Sequence, residues 1–104
     1  AVDVKNRRAV FDNVYAGLSG PGIFPIALRM VRDVARAVKI PVVGMGGIQS
    51  ADDVIAMIMV GAQAVEIGTM NLVDPHIVPR LIADLETYMK EENIGSFDEI
   101  RKII

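Results

Sequence analysis

The spacing of apolar positions shifts repeatedly along this chain, and each shift marks an element. From Ala1 to Val4 the pattern alternates, with Val2 and Val4 on one side and Asp3 and Lys5 on the other. A polar break, Lys5-Asn6-Arg7-Arg8, then precedes the short apolar run Ala9-Val10-Phe11. Alternation, break and return predict a β-hairpin. Tyr15-Ala16-Gly17-Leu18-Ser19-Gly20-Pro21-Gly22 is too rich in glycine for regular structure and predicts a loop. Beyond it the period lengthens. Ile26, Met30, Val34 and Val38 recur every four residues beside Ala27, Val31 and Ala35, while Arg29, Arg32, Asp33 and Arg36 lie off the stripe. That pattern predicts an amphipathic helix over 25–38, with Pro25 in the first turn, where a missing N–H costs nothing.

Pro41 forbids continuation of that helix and permits a strand carried by Val42 and Val43, whose unbroken apolar character predicts burial on both faces, as in a parallel sheet. The stretch Ile40-Pro-Val-Val-Gly-Met-Gly-Gly-Ile-Gln-Ser-Ala-Asp-Asp53 then passes through a glycine pair into a helix over 51–60. Ser50 and Asp53 form its capping box, Val54, Ile55 and Ile58 its buried side, and Gly61 its stop. Ala64-Val65-Glu66-Ile67 is a second strand, ending in Gly68-Thr69. Asp74-Pro75 supplies an N-cap and first residue for a long helix whose stripe is Ile77, Val78, Leu81, Ile82, Leu85, Tyr88 and Met89. Ser96-Phe97-Asp98-Glu99 is a capping box opening a last short helix that buries Phe97, Ile100 and Ile103 or Ile104.

The order hairpin, loop, α, β, α, β, α, α places the chain in the α/β class, with right-handed crossovers onto a parallel sheet. Two parallel strands leave open edges and uncovered apolar faces, so the pattern predicts a piece of a larger sheet. Both strands end in glycine. A β-branched run, Gly46-Gly47 and a helix opened by Ser50 form one half of a phosphate cradle, in which backbone N–H groups and a helix N-terminus face an anion. Gly68-Thr69 forms the other half. The structural alternative is that both are tight βα turns needing glycine for backbone reasons alone.

Composition adds constraints. With 104 residues, 52% hydrophobic, net charge −2 and a mean hydropathy of +0.40, the chain is at most one small domain, and an unusually apolar one whose surface calls for a partner. Asp and Glu outnumber Lys and Arg by 13 to 11 without a long basic run, so nucleic acid is not an expected partner. The absence of cysteine excludes disulfides, thiolate metal sites and a cysteine nucleophile from this chain. No apolar run reaches the roughly 18 residues of a membrane span, and no signal peptide is recognisable. An opening on Ala1 instead of methionine fits processing, trimming or a fragment. Lone His76 reads as a surface residue of a helix first turn, Asp52 and Asp53 as acids favoured by the helix dipole, and the six methionines as core and interface filler. Glu66 faces away from Val65 and Ile67, towards either a paired interior group or a contact across a subunit interface.

Gly17-Leu-Ser-Gly-Pro21 followed by Ile26-Ala-Leu-Arg-Met-Val31, then Ile40-Pro-Val-Val-Gly-Met-Gly-Gly-Ile48, then Gly68-Thr-Met-Asn-Leu-Val-Asp-Pro75, closely resemble dihydroorotate dehydrogenases of the class 1B catalytic-subunit type. The resemblance spans residues 1 to 92. It implies the C-terminal third of an FMN-containing (β/α)8 TIM barrel: the last two βα units and a hairpin excursion after the sixth strand, with 1–104 forming no complete domain. Phosphate binding after strands seven and eight is also the general habit of that barrel. Carried over residue by residue, the resemblance makes Gly20, Gly46, Gly47, Gly68 and Thr69 FMN contacts. Ala16 stands where the family commonly has the first of two glycines and is not taken as a ligand.

The resemblance further implies oxidation of dihydroorotate to orotate in pyrimidine (UMP) synthesis in the cytoplasm, in a homodimer of catalytic subunits. Electrons would leave to NAD through a partner subunit carrying FAD and an iron–sulfur cluster. The family's catalytic cysteine, its flavin-contacting lysine and its pyrimidine-binding asparagines lie in the missing N-terminal part of the barrel, so no catalytic residue and no metal ligand is assigned here. Two other readings stand beside this one: a different FMN barrel, such as a dihydropyrimidine dehydrogenase-like enzyme, and a non-catalytic phosphate-binding half-barrel module that oligomerises.

Overall fold

The computed structural model describes all 104 residues, Ala1–Ile104. The chain is mixed α/β. In order it forms β1 (Val2–Asp3), β2 (Arg8–Ala9), a 3-10 turn (Pro21–Ile23), α1 (Phe24–Ala37), β3 (Val43–Met45), α2 (Ala51–Met59), β4 (Ala64–Glu66), α3 (Met70–Val73), α4 (Ile77–Glu91) and a second 3-10 turn (Phe97–Glu99). β1 and β2 pair antiparallel as the expected hairpin, Val2 opposite Ala9. Its turn is tied by the Asp3 carboxylate, which accepts from the Asn6 side chain at 2.7 Å and the Asn6 backbone N–H at 3.1 Å. β3 and β4 pair parallel, with Val43 opposite Ala64, Gly44 opposite Val65 and Met45 opposite Glu66.

The core lies between the helices and one face of β3–β4. Met57, Ala62 and Ile77 are fully enclosed there, and Val31, Val54, Ile58 and Leu81 close the cluster. Gly44 lets α2 press onto the strand, since a Cβ there would stand 3.1 Å from Met57 Sδ. α1 approaches through its small residues: a Cβ on Gly61 would stand 2.7 Å from Ala35 Cβ, and one on Gly46 3.0 Å from Ala27 Cβ.

Several expectations are corrected. The α1 stripe is split: Ala27, Val31 and Ala35 pack inward, while Ile26, Met30 and Val34 turn outward at 62%, 62% and 46% exposure. The second strand pair is covered on one face only. Gly44 is buried, but Val43 and Met45 remain 47% and 57% exposed, because only one layer of helices is present to cover the sheet. β3 begins at Val43, one residue later than expected, and a four-residue helix, α3, follows Thr69 where none was expected. The long helix starts at Ile77. Asp74 instead ties the turn before it, its Oδ1 accepting from the His76 N–H at 2.9 Å and its Oδ2 facing Arg80 Nη1 at 2.7 Å. The final capping box closes as expected but opens only a 3-10 turn. Phe97 and Ile100 pack on the core, whereas Ile103 and Ile104 stay exposed.

The C-terminal residues nevertheless strap the base of the fold. Lys102 and Ile104 donate their N–H groups to the carbonyls of Ile58 and Met59, Lys102 Nζ donates to the Ala35 carbonyl at 2.8 Å, and Arg101 Nε to that of Ala62 at 3.2 Å. Cations thereby satisfy carbonyls at and beyond helix C-termini.

The shape departs from that of an independent domain. The radius of gyration is 16.8 Å and the shortest extent 17 Å, against about 13 Å expected for the radius of gyration of a compact chain this long. The accessible surface is 7399 Å², where a folded monomer of this mass exposes roughly 5,700 Å². No helix is long and apolar enough to cross a membrane.

Candidate functional site

Parallel pairing sets the ends of β3 and β4 level, since Met45 stands beside Glu66. Strands roughly 4.8 Å apart put the turns that follow within reach of a single phosphoryl-sized group. Gly46-Gly47 and Gly68-Thr69 are those turns, and the segment ahead of α1 brings Leu18, Ser19, Gly20 and Ile23 against them. Gly20, Gly46, Gly47, Gly68 and Thr69 thus come from three separate segments to line one cavity of about 320 Å³. That volume sits at the small end of ligand pockets, which run from about 300 to 1,000 Å³, and suits one end of a larger molecule.

The glycines are not equivalent. Gly47 has φ +75°, and a Cβ on it would stand 2.7 Å from the Phe24 nitrogen, so the chain itself demands glycine where α1 starts. Gly46, at φ +114° and against Ala27, is constrained in the same way. The backbone reading therefore accounts for both, without excluding a ligand. Gly68 differs, because nothing lies within 4 Å of a Cβ placed there and its φ is ordinary. Packing gives no reason for glycine at 68, and an added side chain would enter the space beside the cavity wall.

Donors are available on that wall. The amides of Gly46, Gly47, Gly68 and Thr69 donate no hydrogen bond to any carbonyl of the chain. No lysine or arginine lines the cavity. Glu66 is its only charged residue, on the uncovered sheet face beside Met45. An anion here would rest on neutral N–H donors and the Thr69 hydroxyl, a set that fits a phosphate monoester.

One expected contributor is absent. The amino end of α2 is closed by its own carboxylate: Asp53 Oδ2 accepts from Gln49 N–H at 3.0 Å and Ser50 N–H at 3.1 Å, while Ser50 Oγ accepts from Asp53 N–H. Asp52 and Asp53 in the first turn satisfy the helix dipole. Ser50 lies outside the cavity. The cavity wall is built from the turns after β3 and β4 and the start of α3, not from the end of α2. His76 stays outside it, an exposed residue ahead of α4, and no group of three or more His, Asp or Glu side chains is placed to hold a metal.

Sequence reading missed Asn71. Its side-chain amide donates to the Ile67 carbonyl and closes the turn that carries Gly68 and Thr69. The signal was an Asn one helical turn beyond a strand end, a position from which a short amide returns to the backbone.

Comparison with known proteins decides the family. The model of the family described as dihydroorotate dehydrogenase matches residues 1–89. The chain belongs to the dihydroorotate dehydrogenase family. Among its relatives in that family, a protein of Petrotoga mobilis named dihydroorotate dehydrogenase B (NAD(+)), catalytic subunit, is 48% identical over all 104 residues, which are 35% of its own length. Proteins of the same name from Listeria monocytogenes and Enterococcus faecalis are each 46% identical over 101 residues, 97% of this chain and 33% and 32% of theirs. The chain therefore spans about a third of the length of these dihydroorotate dehydrogenase relatives.

Proposed function

We propose that this chain is the C-terminal part of an FMN-dependent dihydroorotate dehydrogenase and supplies the phosphate end of its cofactor site. The observation carrying this reading is the convergence of Gly20, Gly46, Gly47, Gly68 and Thr69 on one cavity with unpaired amides. These residues would hold the phosphate: the amides of Gly46, Gly47, Gly68 and Thr69 would donate, the Thr69 hydroxyl would add a donor, Gly20 would add a backbone contact, and the open space at Gly68 would admit the group closely. Bound FMN supplies the acceptor for the hydride equivalent that leaves dihydroorotate as it becomes orotate. This chain's own part is binding and orientation, and the catalytic base comes from elsewhere in the polypeptide.

The barrel completes the picture. In a closed (β/α)8 sheet the open edges of β3 and β4 pair with neighbouring strands, and Val43, Met45, Ala64 and Glu66 turn into the interior. Residues 1–104 then form no domain alone, which accounts for the roughly 1,700 Å² of surplus surface over that of a folded monomer of this mass. The wider reading goes beyond the relatives' names and rests on the family resemblance: a cytoplasmic enzyme of de novo pyrimidine synthesis, its catalytic subunits paired as a homodimer. Its electrons pass to NAD through an electron-transfer subunit with FAD and an iron–sulfur cluster. The relatives' shared name favours this over a dihydropyrimidine dehydrogenase-like barrel or a non-catalytic module.

The test uses the full-length polypeptide that carries this chain. Acid release of its cofactor is expected to yield FMN, and dihydroorotate is expected to bleach the flavin absorbance, whereas residues 1–104 alone reduce no dye with dihydroorotate. A full-length protein that purifies and reconstitutes without flavin sinks the reading.

A further inference from the structure

We propose that Asn71 is a positioning residue of the cofactor site, setting the direction of the Gly68 amide through the Ile67 carbonyl. The proposal rests on the phosphate-cradle reading above and adds to it a residue that touches no ligand. A trans peptide is rigid and planar, so the N–H of one residue points opposite to the carbonyl of the residue before it. The chain has no cis peptide bond. Fixing a carbonyl therefore aims the next amide.

Three successive carbonyls are fixed in this turn. Asn71 Nδ2 donates to the Ile67 carbonyl, Asn71 N–H to that of Gly68 at 2.9 Å, and Leu72 N–H to that of Thr69 at 3.0 Å. The amides aimed by these bonds are those of Gly68, Thr69 and Met70, and all three residues line the cavity. None of the three amides donates to a carbonyl of the chain. Two of the bonds are main-chain bonds that any sequence would make. The first depends on the side chain: β3 ends at Met45, opposite Glu66, so the Ile67 carbonyl lies past the end of the ladder. A carbonyl only accepts, which makes the facing atom of Asn71 the amide nitrogen. Substitution at 71 thus frees one peptide plane, Ile67–Gly68, and leaves the other two held.

The prediction is selective for phosphate. In the full-length protein stripped of flavin, Asn71→Ala is expected to weaken FMN binding about tenfold while leaving riboflavin binding, which has no phosphate to place, within about twofold. The 31P resonance of bound FMN is expected to shift as well. An equal loss for FMN and riboflavin would mean a purely structural role and would overturn the proposal, as would unchanged FMN affinity. If Asn71→Ala does not fold, the unaltered protein still tests the idea. Hydrogen exchange at the Gly68, Thr69 and Met70 amides is expected to slow with FMN and not with riboflavin, and the absence of that difference refutes the proposal. Failure of the unaltered protein to prefer FMN over riboflavin at all would instead count against the cradle reading on which this one stands.

Discussion

Two glycines of one cavity separate a structural requirement from a ligand requirement. Alanine at 47 places a Cβ 2.7 Å from the Phe24 nitrogen, 2.8 Å from its Cβ and 2.9 Å from its Cα, on a residue whose φ is +75°. The left-handed backbone costs about 1–2 kcal/mol for a residue with a Cβ, and the overpacking about 1–3 kcal/mol more. Gly47→Ala should therefore lose roughly 2–5 kcal/mol of stability. Alanine at 68 meets nothing within 4 Å at an ordinary φ, so its stability should change by no more than about 0.5 kcal/mol. On the proposed cradle its cost falls on the ligand: keeping a phosphate oxygen from one amide would forfeit a charge-assisted bond worth about 1.5–3 kcal/mol, or about 10- to 150-fold in affinity.

The assay is a pair of measurements on the flavin-free full-length protein, worked at the roughly 300 residues of the Petrotoga mobilis relative, of which 104 residues are 35%. At this size 1 kcal/mol moves the melting midpoint by about 1.5–2 °C, so Gly47→Ala should melt at least about 3 °C lower and Gly68→Ala within about 1 °C of the parent. Titration with FMN, followed by quenching of its fluorescence, should show the large loss for Gly68→Ala. A Gly68→Ala protein that melts as low as Gly47→Ala yet binds FMN normally would refute the distinction drawn between them.

Two further outcomes test the packing and the electrostatics. Met57 is fully enclosed, so Met57→Ala should cost about 2–5 kcal/mol, read as an earlier denaturant midpoint; a loss under about 1 kcal/mol would show that the core collapses onto the gap. The backbone N–H of His76, then Arg80, hold the Asp74 carboxyl below the ordinary carboxylate range. A lowered folded value contributes stability that is present above the unfolded value near 3.8 and is lost as pH falls through the folded one. Asp74→Asn should accordingly flatten the dependence of stability on pH below about 4, and a variant that keeps the parent's acid limb would contradict this assignment.

Much of this protein was legible in its sequence, for reasons that are local. The capping boxes at Ser50/Asp53 and Ser96/Glu99 close on bonds within four residues, so they form wherever the chain is placed. Apolar spacing located α1, α2, β4 and α4 because helix and strand periods are set by backbone geometry. The pattern also marked Gly46, Gly47, Gly68 and Thr69, since glycine at a strand end is a backbone statement, whereas Gly20 entered only through the family resemblance.

Tertiary structure decided what those residues face. Which side of α1 is buried depended on Gly46 and Gly61, which admit Ala27 and Ala35 so closely that Ile26, Met30 and Val34 are left outside. Whether β3 is covered on one face or two depended on how many helices surround it, a property no strand encodes alone. The parallel register of β3 and β4 levelled their two turns, and the return of Asn71 onto Ile67 fixed an amide between them. Short-range bonds can be read from spacing along the chain. A cavity whose walls lie nearly fifty residues apart, from Gly20 to Gly68, exists only once long-range packing has chosen among the faces that local patterns leave open.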